Sequence, residues 1–206
     1  TIKVWSIKNG SCVCTMSKHK DWIRGIELML TSNNETLISA SDDGTIRFWS
    51  LPACELERTI TVGVDVLSIK LIRNETRTLL ASGGPDSKIS MWNLQTDGLE
   101  YQVVDNSSEQ FSQSKVIFLE HLPGSYLISG DEDSKIRVWE WAAADDNWKL
   151  VKVLEDFFMA SLVSLKLHRD SSNNQSYVLS SDSRGILLLW SLKNFALKTK
   201  LDNTLN

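Results

Sequence analysis

The chain has 206 residues, of which 42% are hydrophobic, so it can bury a core of ordinary size. Its 22 basic and 26 acidic residues give a net charge of −4, which argues against a nucleic-acid groove, because such a groove needs clustered Lys and Arg. No apolar run approaches the ~18 residues that a membrane span requires, and no signal peptide is recognisable.

Five tryptophans recur at a nearly constant interval, each closing a short run rich in aliphatic and β-branched residues. The intervals are 44, 43, 47 and 51 residues. A repeat of this length, with a tight turn, a β run and a closing Trp, is typical of a β-propeller blade. The five residues are Trp5, Trp49, Trp92, Trp139 and Trp190.

The first residues predict only two strands, at 1–5 and 11–16. A complete four-stranded unit follows. Residues 22–28 alternate apolar and polar side chains, as a half-buried strand does, and Asp42-Asp43-Gly44 predicts a tight hairpin turn. The other strands of this unit are predicted at 36–40, 45–49 and 57–61.

Three more units of the same kind follow along the chain. Their predicted strands are 66–72, 78–82, 88–93 and 100–104 in the second unit, 115–120, 126–129, 135–140 and 149–154 in the third, and 162–167, 177–180, 186–191 and 197–201 in the fourth. Two polar stretches with few apolar residues, 105–114 and 168–176, predict long loops.

These motifs resemble those of the WD40-repeat family over nearly the whole chain. The clearest unit, residues 16–50, carries His19 in KHKDW, Asp43 in the turn and Trp49 at the end. The resemblance implies an all-β fold: a partial WD40-type β-propeller with four full four-stranded blades plus half a blade. Residues 1–50 also resemble two adjoining blades of the lissencephaly-type dynein regulators, which we interpret as a shared consensus.

The resemblance also implies how the single propeller domain is divided. We expect a half blade with only the third and fourth strands at 1–17, blades at 18–61, 62–104, 115–155 and 156–201, a polar loop at 105–114 and a tail at 202–206. An open stack of blades leaves sheet faces in water. We therefore expect the chain to be the C-terminal part of a larger propeller, with missing N-terminal blades needed to close the ring.

In the family, a His, a Ser or Thr, the turn Asp and the Trp form a hydrogen-bonded network that holds one blade together. The matching residues are His19, Ser39 or Ser41, Asp43 and Trp49, with partial sets in Asp86 and Trp92, Asp133 and Trp139, and Trp190. The second blade has Val62-Gly63 where the His is expected, and the fourth has Arg184 in place of the Asp. A structural role for His19 is favoured over that of a base, because no nucleophile is placed beside it.

The family resemblance also places a partner-binding surface at the narrow end of the propeller axis. It is formed by the residues that enter the first strand of each blade and by the residue before the turn Asp. The candidates are Trp22, Arg24, Asp42, Asp65, Leu67, Pro85, Lys115, Ile117, Glu132, Ser161, Val163 and Ser183. Trp22 and Arg24 are the strongest pair, since Trp and Arg dominate interface hot spots; the alternative is that each simply caps a strand.

We therefore expect a non-enzymatic scaffold that docks protein or peptide partners within a multiprotein assembly, without nucleic-acid binding or membrane insertion. Asp42 and Glu132 suit a basic or neutral peptide. Two alternatives stay open: a substrate-recognition subunit of a ubiquitin ligase, and the regulatory propeller tail of a larger enzyme. We expect no catalytic set, no cofactor and no metal site; Cys12 and Cys14 share a strand face but lack further ligands at short spacing.

Three cysteines, Cys12, Cys14 and Cys54, are too few and too odd in number for a disulfide framework. They favour a reducing compartment and hence an intracellular location, cytoplasmic or nuclear. Trp141 and Trp148 leave two possibilities open. They form either an exposed aromatic patch or a contact between the third and fourth strands of their blade.

Overall fold

The computed structural model describes residues 1–31, 34–73, 78–96, 98–103, 114–124, 126–154 and 160–201. Within these ranges the chain forms 18 strands joined by turns, and no helix there is long and apolar enough to cross a membrane. The strands make one two-stranded hairpin and four four-stranded antiparallel sheets, each built from strands consecutive in sequence. The predicted fold, a partial propeller of four full blades and half a blade, is confirmed.

The strands run in chain order through these units. The N-terminal hairpin comprises β1 (Ile2–Trp5) and β2 (Cys12–Met16). The first sheet comprises β3 (Ile23–Leu30), β4 (Glu35–Ser41), β5 (Thr45–Leu51) and β6 (Leu56–Thr61). The second comprises β7 (Ser68–Arg73), β8 (Thr78–Gly83), β9 (Ile89–Asn93) and β10 (Leu99–Val103). The third comprises β11 (Val116–Leu122), β12 (Tyr126–Asp131), β13 (Ile136–Ala142) and β14 (Asn147–Leu154), and the fourth comprises β15 (Leu162–Asp170), β16 (Gln175–Asp182), β17 (Leu187–Ser191) and β18 (Ala196–Leu201).

Each recurrent Trp lies where the pairing of the last two strands of its unit becomes irregular. The register of β5 and β6 shifts between Phe48 and Trp49, and that of β17 and β18 shifts between Leu189 and Trp190. The hairpin shows the same irregularity just before Trp5. A bulge of this kind bends a strand and increases its twist. The regular interval in the sequence therefore marks a repeated backbone feature as well as a repeated ring.

The apolar core lies between neighbouring sheets. Between the first and second sheets it contains Ile38, Ile46, Phe48, Val66, Ile69, Leu80 and Trp92. Between the second and third it contains Ile72, Met91, Val103, Leu119, Leu127 and Trp139. Between the third and fourth it contains Ile128, Ile136, Val138, Leu165, Leu188 and Trp190. Each sheet is thus stabilised mainly by its sequence neighbours, as in other repeat proteins.

The predicted loop at 168–176 is wrong. β15 continues to Asp170 and β16 begins at Gln175, so that the two strands are joined by a four-residue turn. The end of this hairpin projects into solvent, where polar residues can occupy both faces of a strand without loss of burial. The other predicted loop, 105–114, and the predicted tail, 202–206, lie outside the described residues except for Ser114. The blade boundaries stay a prediction.

The cysteines also depart from expectation. Cys14 on β2 and Cys54 in the turn between β5 and β6 form a disulfide with a Cα–Cα distance of 6.4 Å, and Cys12 is free and exposed. The pair therefore links the N-terminal hairpin covalently to the first sheet. A count of cysteines could not find it, because only the fold brings together two residues that are 40 positions apart.

Candidate docking surface

One side chain from the segment before β3 connects the strands of the first sheet. Because a carboxylate only accepts hydrogen bonds, Nδ1 of His19 donates to Asp43 at 2.9 Å. Nε2 of His19 then accepts from the Ser39 hydroxyl at 2.7 Å. Ser39 Oγ itself accepts from Nε1 of Trp49 at 2.9 Å. Of the two predicted serines, Ser39 is the one that contacts both rings, while Ser41 accepts from the backbone N–H of Asp43.

The environment of this network fixes its charges. Burial lowers the pKa of His19, and the hydrogen bond to Asp43 offsets only part of that effect. For Asp43, burial opposes ionisation, but hydrogen bonds from Thr45, the Lys20 backbone and His19 outweigh it and lower the pKa. The imidazole is therefore neutral and the carboxylate charged at neutral pH. With the His19 side chain only 1% exposed, this arrangement suits structural support better than proton transfer to a ligand.

The serine–tryptophan contact recurs in the next two sheets. Nε1 of Trp92 donates to Ser82 at 2.8 Å, and Nε1 of Trp139 donates to Ser129 at 2.9 Å. Asp86 and Asp133, which the sequence placed in these networks, are both exposed. The Asp43 side chain, by contrast, is 6% exposed. The complete four-residue network therefore belongs to the first sheet within the described residues.

Two buried carboxylates that the sequence did not single out stabilise the turns of the third and fourth sheets. Asp131 accepts from the backbone N–H of Lys135 at 2.9 Å and forms an ion pair with Arg137. Asp182 accepts from the backbone N–H groups of Arg184 and Ile186 at 2.9 and 3.0 Å. The buried turn carboxylate of the third sheet is therefore Asp131 and not Asp133. Both residues lie eight positions before the Trp of their sheet, a signal that could have revealed them.

Trp22 and Arg24 form an ordered pair where the chain enters β3. Trp22 is 69% exposed, and Cζ of Arg24 lies 4.7 Å from the centroid of its ring. Nε and Nη2 of Arg24 both donate to the Asp42 carboxylate, the shortest distance being 2.6 Å. The hydrogen bond to Asp42 raises the pKa of Arg24, so the guanidinium is charged. The indole is thus supported on one side by a fixed cation while remaining open to solvent.

The backbone brings the other candidate residues together in pairs. The N–H of Asp42 donates to the Trp22 carbonyl, that of Glu132 to the Lys115 carbonyl and that of Ser183 to the Ser161 carbonyl, at 2.9, 3.0 and 2.9 Å. In each case the residue before the turn Asp, or before the equivalent position, is hydrogen-bonded to the residue that directly precedes the first strand of the sheet. Pro85 cannot make this bond, because it has no backbone N–H. The two segments of the second sheet nevertheless lie close together: a Cβ built on Gly84, the residue before Pro85, would be 2.6 Å from the carbonyl oxygen of Asp65.

Most of the predicted partner-binding residues are accessible. Exposed members are Trp22, Arg24, Asp65, Lys115, Glu132, Ser161, Val163 and Ser183, whereas Asp42, Leu67, Pro85 and Ile117 are half-buried. Lys115 and Glu132 form an ion pair at 3.2 Å. We call these twelve residues the docking surface. Its two cations, Arg24 and Lys115, already have carboxylate partners, Asp42 and Glu132. The remaining charge of the docking surface is that of Asp65, which is acidic.

The first strands of the four sheets, β3, β7, β11 and β15, contact their neighbours from sheet to sheet, and we call them the innermost strands. They carry charges of alternating sign, Glu27, Lys70, Glu120 and Lys166, which we call the charge ladder. Nζ of Lys70 lies 3.0 Å from Glu27 and 3.2 Å from Glu120, and Nζ of Lys166 lies 2.6 Å from Glu120. Burial works against the charge of Lys70, but the two carboxylates together outweigh it and raise the pKa. Each contact between neighbouring sheets is therefore bridged by one ion pair.

Trp141 and Trp148 pack against each other and do not form an exposed patch. Their rings meet edge to face with centroids 5.5 Å apart, and Trp148 is 7% exposed. The His121 ring also meets the Trp148 ring edge to face, with the two centroids 6.0 Å apart. Of the two possibilities left open by the sequence, packing between β13 and β14 is the one observed.

Comparison with known proteins gives a consistent result. The family model described as WD domain, G-beta repeat matches residues 10–50 and 121–140. Nuclear distribution protein nudF of Aspergillus niger is 22% identical over 97% of this chain and 47% of its own length. Ribosome biogenesis protein YTM1 of Vanderwaltozyma polyspora is 25% identical over 59% of this chain and 28% of its own length. Periodic tryptophan protein 2 of Arabidopsis thaliana is 26% identical over 68% and 15%, respectively. The chain spans less than half the length of these curated relatives.

Proposed function

Because this chain belongs to the WD40-repeat family, we propose that it is a non-enzymatic scaffold that docks protein or peptide partners on the docking surface. Protein interaction is the general role of the family. The finer proposal rests on one observation above all, the exposed Trp22 ring held by Arg24, which is itself bound to Asp42. Trp and Arg are both among the residues most enriched in binding hot spots.

Preorganisation is the physical mechanism of this proposal. Fixing a rotamer-rich side chain on binding costs roughly 0.5–1.5 kcal/mol. Arg24 has already lost that freedom, because it is stacked on Trp22 and bonded to Asp42 in the free protein. A partner that covers the indole therefore gains apolar burial without having to order the cation beneath it.

The charge of the docking surface favours a neutral or basic partner. Arg24 is neutralised by Asp42 and Lys115 by Glu132, while Asp21 and Asp65 are exposed. A phosphopeptide or an acidic peptide would meet these carboxylates, while the two cations of the docking surface are already paired. A peptide with Lys or Arg beside an apolar anchor fits better.

The proposal is tested with a partner identified by crosslinking and then purified. The double variant Trp22→Ala/Arg24→Ala should weaken its affinity by about 30-fold or more, as for loss of a hot spot worth ~2 kcal/mol or above. The melting temperature should change little, because both side chains are exposed. The matched control is Lys3→Ala/Trp5→Ala, which removes an exposed cation and an exposed indole from the N-terminal hairpin. Equal affinity of both double variants would reject the surface.

We also propose that further blades pack on the two outermost faces of the array. The first sheet exposes Ile26, Leu28 and Leu30 on β3, and the fourth sheet exposes Leu179 and Leu187. The charge ladder supports the same idea at the fourth sheet, because Lys166 at that end is 73% exposed and Lys70 in the middle of the ladder is 23% exposed. Closing a propeller removes such faces from water.

A further inference from the structure

The second sheet repeats the hydrogen-bonding residues of the first sheet but lacks the imidazole. Ser82, Asp86 and Trp92 lie 43 positions after Ser39, Asp43 and Trp49. The contact between the serine and the indole is the same in both sheets, at 2.8 and 2.9 Å. The position equivalent to His19 is Val62, whose backbone N–H donates to the Gly44 carbonyl at 2.9 Å. The second sheet therefore has an apolar side chain at the position where the first sheet has an imidazole ring that is hydrogen-bonded at both nitrogens.

A cavity of about 140 Å³ is present at this place. Its lining includes Val62, Ser82, Asp86, Lys88, Ser90 and Trp92. An apolar cavity of ~150 Å³ can hold a benzene molecule, so the space suffices for a five-membered ring. The lining offers two carboxylates, those of Asp65 and Asp86, and the hydroxyls of Ser82 and Ser90. A hydrocarbon would leave this polar set unsatisfied.

The hydrogen-bonding state of Asp86 shows what the second sheet lacks. Asp43 accepts from His19, from the Thr45 hydroxyl and from the backbone N–H groups of Lys20 and Thr45. Asp86 is exposed, and in the part of the chain that the structure describes its only hydrogen bond is a long one, 3.3 Å, from the backbone N–H of Lys88. Ser82 accepts from Trp92 as Ser39 does from Trp49, but its own hydroxyl proton is available for the second bond that Ser39 makes to His19.

We propose that this cavity is a binding site for an imidazole ring. The bound ring donates from one nitrogen to Asp86 and accepts from the Ser82 hydroxyl at the other, as His19 does in the first sheet. Neutral imidazole is the form that carries one donor and one acceptor. The site is separate from the indole of the docking surface, so the inference does not depend on the proposed function.

The cavity is accessible from outside. Val64 and Leu99, which also line it, are 41% and 49% exposed. Asp65 of the docking surface lies at the same opening. The ring can therefore come from a small imidazole compound or from a histidine side chain of a bound peptide, and both present the same chemistry to Ser82 and Asp86.

The test follows the Trp92 indole N–H signal in a ¹H–¹⁵N NMR titration of the protein with imidazole. We expect a saturable shift of that signal. 1-Methylimidazole, which has no N–H for Asp86, should bind about tenfold more weakly, as expected for loss of a hydrogen bond to a charged group. N-Acetylhistidine amide distinguishes the two sources: binding as tight as that of imidazole supports a peptide histidine, and no binding restricts the site to small compounds.

Two variants make the test specific. Val62→His places a ring in the site and should abolish the response to added imidazole. Asp86→Ala should weaken imidazole binding about tenfold. Asp133→Ala, which removes the exposed carboxylate at the same turn position of the third sheet, is the matched control and should leave it unchanged. Absence of a saturable Trp92 shift in the unmodified protein would mean that the cavity holds only water, and would overturn the proposal; so would equal binding to the Asp86→Ala variant.

Discussion

Ser39 is the residue at which the first sheet is held together, because a single hydroxyl group serves both a histidine and a tryptophan. Its side chain is fully buried, and Trp49 is 2% exposed. Both nitrogens of His19 and the indole nitrogen are bonded. In such a network the rings contribute packing and the hydrogen bonds remove the cost of burying polar atoms.

Replacing Trp49 with Ala should lower the free energy of unfolding by about 3–5 kcal/mol, the range for a buried aromatic residue. Urea denaturation followed by circular dichroism measures the loss. Trp5→Ala is the control, because Trp5 closes the equivalent repeat but is 56% exposed; its effect should stay below ~1 kcal/mol. A similar loss in both variants would show that burial does not distinguish the two positions.

Histidine burial makes stability depend on pH. Burial lowers the pKa of His121 to about 4, and the nearby charge of Lys70 acts in the same direction. The unfolded chain binds this proton near pH 6.5. The contribution of the neutral ring is therefore complete above about pH 6.5 and is lost as the pH falls towards 4. His19 changes stability in the same direction, since its pKa is also lowered.

The expected outcome is a drop in unfolding free energy between about pH 7 and about pH 5, with a smaller drop in His121→Gln. Urea titrations at the two pH values measure both. The variant keeps the contribution of His19 and removes that of His121. An unchanged pH dependence in His121→Gln would contradict the assignment.

At the scale of the element, the charge ladder shows how neighbouring innermost strands recognise each other. Each member of the ladder lies opposite a residue on the second strand of its own sheet, and that residue is always eleven positions before the Trp of the sheet. These residues are Ile38, Ala81, Ile128 and Leu179. The four charges therefore occupy one level of the array. A shift of one blade against the next would bring a charge opposite an apolar residue. We infer that the ladder contributes to register as well as to stability.

Lys70→Met tests this contribution. The change removes the cation that Glu27 and Glu120 share; Glu120 keeps Lys166, but Glu27, which is 19% exposed, loses its partner in the ladder. Breaking a largely buried pair costs about 3–5 kcal/mol, and partial exposure should reduce this to roughly 2–3 kcal/mol. Lys166→Met should cost less than ~1 kcal/mol, because Lys166 is mostly exposed. Urea denaturation compares them; equal losses would mean that position in the ladder is irrelevant.

Different elements were predictable to different degrees. The sheets were predictable because Trp recurs at a nearly constant interval in the sequence. In the structure each such Trp, for example Trp49 and Trp190, lies at a backbone irregularity. Trp22 and Arg24 were predictable as a pair because an arginine and an indole that lie close in sequence can stack, as they do here. The partners of Lys70 were not, since they lie about 43 and 50 residues away and meet only when sheets pack. Asp131 was missed because a hairpin turn with three acidic residues does not reveal which one is buried.

At the scale of the whole molecule, the array has two open ends with matching character. Both ends carry exposed aliphatic side chains, among them Leu28 on β3 and Leu179 on β16. The sheets between them have these positions covered by a neighbour. If further blades pack on the ends, as proposed, the same leucines become core residues.

Leu28→Asp and Leu179→Asp distinguish the two situations. In the 206-residue chain each change should alter stability by less than ~1 kcal/mol, because the side chains are 45% and 40% exposed. In a polypeptide that includes the further blades, each should lower the melting transition by an amount equivalent to about 2 kcal/mol or more, the cost of burying an unpaired charge. Val151→Asp, 40% exposed on the outer strand β14, is the control and should behave alike in both. Equal tolerance at all three positions would argue against blades at the ends.

The bond between Cys14 and Cys54 also encloses the stretch of chain on which the docking surface begins. Trp22, Arg24 and Asp42 all lie inside the 40-residue loop that it closes. A protease that cuts after exposed Lys18 or Lys20 would therefore produce two peptides that stay covalently attached until a reductant separates them. The protein can thus be nicked next to its most exposed indole without losing the hairpin that precedes it.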